Sequence, residues 1–397
     1  MHREALAAIL LLIVVALAGC GPMAAPSPRS STSPSASATP APTPTPTPEV
    51  ACADRVFSAM TLDQKIGQLF ELGLAADRLG PTEINLIQTD HIGSVWFVDR
   101  SYAGVAAIHA VAAAVQAQVS SAATANVRFL IAANQEGGLI QAMQGPGFSQ
   151  IPTAVVQGTW DPALLQSRAA GWAQELRAAG INFNFAPVMD VVPPGTDAQN
   201  QPIGALQREY GHDPATAGSH GVAFLTGMRQ SGIALSLKHF PGLGRVTGNT
   251  DFTTATDTIT TASDPYLQSF KQGIAANSDF VMVALARYTQ IDPNHLAAFS
   301  SVVMTQMLRG TMGFNGVVIS DDLGDTAAVA AIPPGTRAID FLSAGGDMII
   351  SKTSAPAHAM VLAIRSRAAA DVTFRQRVDD AALRILRAKQ ARSLLSC

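Results

Sequence analysis

The sequence predicts an α/β protein whose folded part is a single (β/α)8 barrel. Three observations predict it. Eight short apolar runs lack the polar alternation of a half-exposed sheet, as parallel strands covered on both faces do. Ala-rich segments with helical spacing separate them, which gives a βα alternation. Polar and ionisable residues recur just after the runs, where a barrel exposes the C-terminal ends of its strands.

In order, the expected strands are 68–72, 93–97, 128–132, 182–186, 233–237, 279–283, 316–320 and 347–350. The expected helices are 104–119, 163–179, 214–230, 265–276, 301–310, 336–344, 355–368 and 375–394. Three of them open on Asp-Pro: Asp161-Pro162, Asp213-Pro214 and Asp264-Pro265. There the carboxylate can cap free N–H groups and Pro suits the first helical position. A doubly wound open sheet would use the same alternation. However, no GxGxxG or GxxxxGK[ST] loop follows an early strand, which disfavours its nucleotide-binding forms.

The chain has 397 residues, of which 48% are hydrophobic and only 14% charged, so a large core is available and disorder is excluded as the main state. With 26 basic and 29 acidic residues and no Lys/Arg run, nothing points to nucleic acid. Arg3 followed by the apolar run Leu6 to Leu17 reads as an export signal over residues 1–19, too short to span a bilayer comfortably. It ends in Leu17-Ala18-Gly19-Cys20, which resembles a bacterial lipobox with lipid on Cys20. Residues 21–50 hold 9 Pro and 11 Ser/Thr, so residues 20–50 read as a lipidated Cys plus an extended spacer. Residues 51–397 form the barrel domain. The expected location is the outer face of the cytoplasmic membrane, by a lipid anchor only, and the expected state is a monomer. Cys52 and Cys397 sit at the two ends of the folded part. A closed barrel brings its ends together and disulfides persist outside the cytoplasm, so a Cys52–Cys397 bridge is expected.

At the strand ends stand Asn134-Gln135-Glu136, Asp190, Lys238-His239, Arg287 and Asp321-Asp322. KHFPGLGRVTGNTD (238–251) follows the fifth strand with enough Gly to make a loop over a substrate, and SDDLGD (320–325) follows the seventh. Asp321 and Asp251 could supply the two carboxyl groups, about 5–5.5 Å apart, that glycoside cleavage with retention requires. The eight His form no HxxxH, HExxH or Cys/His cluster, so neither a metal nor a cofactor is expected.

These stretches reach a known family. MTLDQKIGQLF (60–70), NQEGG (134–138), INFNFAPVMDV (181–191), REYGHDP (208–214), KHFPGLG (238–244), YTQIDPNHLAAFS (288–300), FNGVVISDDLG (314–324) and AGGDMII (344–350) occur in one order. In these motifs the chain resembles family 3 glycoside hydrolases, in particular the single-domain bacterial β-N-acetylglucosaminidases of cell-wall turnover. The resemblance implies a β-glycoside substrate and Asp321 as nucleophile. It implies that Lys238, His239 and Arg208 hold the sugar, while Asp190 orders a loop. The chain departs from the pattern at several positions. Asp251 stands where the family's loop has its acid/base His. Asn134 replaces a sugar-binding Asp. Leu139 and Ala142 replace two Arg, and Leu243 and Leu285 replace two His. Asp251 is therefore expected to be the acid/base, with Asp257 and Asp322 next in line. A glycan-binding protein without activity and a two-lobed solute-binding lipoprotein are the other readings.

Overall fold

All eight apolar runs form strands of one closed, all-parallel barrel in a computed structural model that describes residues 51–397. The signal segment, Cys20 and the spacer to residue 50 lie outside the described residues. The strands are β1 (Phe70–Leu74), β2 (Ser94–Phe97), β3 (Leu130–Ala133), β4 (Phe183–Asn184), β5 (Ala234–Phe240), β6 (Phe280–Val283), β7 (Val317–Asp322) and β8 (Met348–Ser351). Each pairs with its neighbours in sequence, and β1 closes the ring on β8 through Phe70–Ile349 and Leu72–Ser351. Strands β1, β2, β3, β6 and β8 are buried along their whole length, as their unbroken apolar pattern requires.

The helices cover the ring, and their starts follow the capping chemistry. Asp161 accepts from Ala163 N at 2.8 Å at the head of Pro162–Ala178. Asp213 accepts from Ala215 N and Thr216 N at the head of Pro214–Arg229. Asp264 instead caps a 3-10 turn, Pro265–Leu267, which runs on into the helix Gln268–Ala275. The segment Val302–Thr311 is wound as a π-helix. Five helices among the described residues went unread because they are short: Cys52–Ala59, Leu62–Gln68, Pro81–Thr89, Ser121–Thr124 and Ala154–Gln157. The second of these has a Thr61/Gln64 capping box and ends at Gln68, which is why β1 begins at Phe70 rather than at residue 68.

β4 is shorter than the run 182–186 suggests. Pro187 brings no N–H to the ladder, and the Ala186–Pro187 bond is cis. The ladder is supplemented by side chains: Asn182 Oδ1 accepts from Ile131 N, while Asn184 bonds both N and O of Gln135. At the opposite, N-terminal end of the barrel, Asp347 is fully buried and paired with Arg309, Arg377 and Arg384. The ends of the domain meet in the Cys52–Cys397 disulfide, with Cα atoms 5.9 Å apart across 345 residues of sequence. Gln390 Oε1 accepts from Ala53 N at 2.8 Å. No helix among the described residues is long and apolar enough to cross a membrane.

Candidate active site

The C-terminal end of the barrel opens into a cavity of about 310 Å3. Trp96, Phe185, Met282 and Ile350 supply apolar wall, with Trp96 and Phe185 packed edge to face at 5.8 Å. The polar lining comes from Asn134, Arg208, Lys238, His239, Asp251 and Asp321. Every residue named from sequence as catalytic or sugar-binding therefore faces one cavity.

Its floor is an ion cluster that the sequence did not disclose. Glu136, in a hairpin just after β3, receives Arg208 Nε and Nη2 at 2.9 and 2.8 Å and Lys238 Nζ at 2.5 Å. Lys238 Nζ also donates to Asn134 Oδ1 at 2.8 Å. Glu136 is 5% exposed and Lys238 2%, so this is a buried charge network of two cations on one carboxylate. Burial alone would raise the Glu136 carboxyl; the Arg208 charge and then that of Lys238 overcome it and hold it at about 2. Burial, helped by the Arg208 charge, lowers the Lys238 ammonium although Glu136 opposes it. Arg208 is raised, its burial outweighed by Glu136.

His239 is steered from behind. Asp190 is fully buried and its Oδ2 lies 2.7 Å from His239 Nδ1. The same carboxylate accepts from the backbone N–H of His239 and of Leu243. Asp190 thus orders the loop after β5, as the sequence suggested, and sets the imidazole with Nε2 away from the pair. The Lys238–His239 and Phe240–Pro241 bonds are both cis in this stretch.

Asp321, half-buried near the end of β7, is oriented by Asp322 N, which donates to its Oδ1 at 2.8 Å. Asp251 sits on the β5 loop, exposed at the cavity rim. Desolvation at the cavity, then the Asp321 charge, push its carboxyl above the ordinary range. The loop is docked on the turn after β7: Ala328 N donates to Thr250 O at 3.2 Å and Ala327 N to Asp251 O at 3.3 Å. Phe252, next in sequence, is 80% exposed at the cavity mouth.

The reserve candidates are otherwise engaged. Asp257 is buried and caps a turn through Ile259 N, Thr260 N and Thr260 Oγ1, away from the cavity. Asp322 borders the cavity but clamps backbone, accepting from Gly324 N, Asp325 N and Lys352 N. Arg287, expected at the mouth, is instead exposed in a small three-stranded sheet and contacts Pro293 O. Of the departures, Leu243 borders the cavity as an apolar residue, Leu285 is fully buried, and Leu139 is 54% exposed. The sequence shows no ligand spacing, yet the fold brings Asp197, Glu209 and His212 together.

Comparison with known proteins agrees with this geometry. Residues 61–388 match the glycosyl hydrolase family 3 N-terminal domain. A beta-hexosaminidase of Stenotrophomonas maltophilia (strain R551-3) is 33% identical over 288 residues, covering 70% of this chain and 82% of the relative. One of Xylella fastidiosa (strain M12) is 34% identical over 289 residues, with the same two coverages of 70% and 82%. Among solved structures, a beta-N-acetylhexosaminidase from Beutenbergia cavernae DSM 12333 is 47% identical with a TM-score of 0.81, covering 83% of this chain and 99% of that one. A family 3 beta-N-acetylglucosaminidase from Paenibacillus sp. str. FPU-7 is 29% identical with a TM-score of 0.76, over 84% of this chain and 63% of that one. The matched region runs from the cap of the helix Leu62–Gln68 into the last helix, and the chain belongs to glycosyl hydrolase family 3.

Proposed function

We propose that this glycosidase is a retaining β-N-acetylhexosaminidase in which Asp321 is the nucleophile and Asp251 the acid/base. The observation that carries the reading is the pairing of Asp321 with a carboxyl of raised proton affinity on the same cavity. In the first step the Asp321 carboxylate attacks the anomeric carbon. The glycosidic C–O bond breaks, and Asp251 gives its proton to the departing oxygen. In the glycosyl-enzyme Asp321 is an uncharged ester, so the repulsion that raised Asp251 is gone and its carboxylate form is favoured. It then takes a proton from water as that water attacks the anomeric carbon and frees Asp321.

The Glu136 cluster positions the sugar. Glu136 and Asn134 accept two of the three Lys238 donors, which leaves one for a hydroxyl. Arg208, fixed by Glu136 and by Pro202 O, and the free side of His239 can bind further hydroxyls. The relatives named above are hexosaminidases, which favours an N-acetylated sugar. The decisive experiment is hydrolysis of a panel of nitrophenyl β-glycosides by wild type and Asp321→Asn. Wild type should cleave the N-acetylglucosaminide best. The variant should lose at least ~10³-fold, and a fluorinated donor should label Asp321 in the wild type. A label on another residue, or full activity of Asp321→Asn, refutes the assignment.

The same proposal takes the enzyme to the cell envelope, acting on cell-wall-type glycan as a monomer. The lipobox-like Leu17-Ala18-Gly19-Cys20, the Pro-rich spacer and a disulfide suited to an oxidising compartment support it. Cys20→Ala should move the protein from the membrane to the soluble fraction, and unchanged membrane association refutes the anchor.

A further inference from the structure

The long connection between β4 and the helix Pro214–Arg229 does more than deliver Arg208. It also gathers Asp197, Glu209 and His212, each offering one ligand atom within 4.8 Å of the others. None of the three lines the cavity. Glu209 is 2% exposed and its Oε2 has no hydrogen-bond partner. The Glu209 carboxyl abuts that of Asp197, whose Oδ1 is likewise buried and without a hydrogen-bond partner. Two buried carboxyl oxygens that face each other are strongly unfavourable unless a shared proton or a cation lies between them.

His212 completes the set. Its Nδ1 donates to the Val192 carbonyl oxygen at 3.1 Å, which places the ring proton on Nδ1 and leaves the lone pair on Nε2, and Nδ1 lies 3.6 Å from Asp197 Oδ1. A separation of 3.6 Å is too long for a hydrogen bond. We infer that Asp197, Glu209 and His212 form a divalent-cation site, with the one-nitrogen, two-oxygen donor set that suits Zn2+. The cation braces the connection that holds Arg208 against Glu136, since Glu209 follows Arg208 directly. The site is separate from the glycosidase chemistry, which needs no metal in the steps derived above.

The test uses the whole mature chain, stripped with chelator and titrated with Zn2+ alone by calorimetry and by thermal melting. Wild type should bind one Zn2+ per chain. At a hundredfold excess over Kd its melting temperature should rise by about 4 °C. Glu209→Gln and His212→Asn should each weaken binding by at least about tenfold. Asp321→Asn, which alters the cavity carboxylates, should leave the affinity within about twofold. If Glu209→Gln fails to fold, the half-exposed His212 position decides alone. Absence of saturable binding by wild type up to about 1 mM overturns the site and leaves the two carboxyls sharing a proton. Retained affinity in either folded cluster variant, or loss in Asp321→Asn, overturns it as well.

Discussion

Glu136→Gln removes the charge that carries two buried cations while keeping nearly the same shape. Glu136 is held at about 2 against an ordinary value of 4.5, a depression of about 2.5 pH units and thus about 3 kcal/mol of stability. The sign follows from proton binding. Between those two values the unfolded chain binds the proton more tightly than the folded one. The contribution is therefore complete above about pH 4.5 and disappears as pH falls toward 2. Removing one partner of a buried network typically costs about 3–5 kcal/mol, which agrees in size. Urea unfolding of wild type and Glu136→Gln from pH 7 to pH 2.5 measures the difference directly. The variant should be less stable by about 3 kcal/mol at pH 7, and the two curves should converge in acid. Parallel curves, with one constant gap at every pH, would show that packing and not the charge network accounts for the loss. No gap at all would refute the reasoning outright.

Asp251→Ala should slow cleavage of unactivated glycosides by roughly 10²–10⁴-fold and nitrophenyl glycosides much less in the first step, with azide restoring the second. Unchanged turnover of a natural substrate would move the acid/base elsewhere. Since Asp251 must be protonated in the first step and is raised by burial and Asp321, kcat/KM should fall on the alkaline side through a group above the ordinary Asp range. Asp251→Ala should abolish that limb. The Cys52–Cys397 bridge closes a 345-residue separation, so Cys52→Ser/Cys397→Ser should lose at most about 6 kcal/mol of stability. A melting temperature equal to wild type under non-reducing conditions would contradict it.

The barrel was legible because its signals are local. An unbroken apolar run such as Phe280–Val283 cannot be amphipathic, and Asp-Pro marks a helix start without reference to the rest of the chain. The helices that were missed, such as Cys52–Ala59, are short and depend on packing against the last helix of the chain. At the site, Asp321 and Lys238 were readable from their motifs and their places after strands. The role of Glu136 was not, because its partner Arg208 is 72 residues away and only barrel closure joins them. Asp322 and Asp257 read in sequence as the next candidates after Asp251. Their backbone hydrogen bonds, invisible at that level, assign them to turns. Asp197, Glu209 and His212 share no motif spacing, and a single loop folding back on itself brings them together.

Two backbone hydrogen bonds explain how an Asp can stand in the proposed acid/base position, where the motif resemblance expects His. The loop's place is not set by the side chain. Its backbone carbonyls at Thr250 and Asp251 accept from Ala328 N and Ala327 N, in the turn just beyond Asp321 and Asp322. Asn249 Oδ1 accepts from Asp251 N and its backbone carbonyl from Phe252 N and Thr253 N, which shapes the tip. The loop that carries the proposed acid is thereby referenced to the strand that carries the proposed nucleophile, whatever residue occupies position 251. A carboxyl placed there meets the Asp321 charge and gains the proton affinity that an isolated Asp lacks. It follows that the docking turn, more than the identity of one side chain, keeps the two groups in register. Ala328→Pro, which removes the donor to Thr250, should therefore lower kcat on unactivated glycosides far more than it lowers the melting temperature. Equal activity in that variant would show that the loop finds its place without the turn.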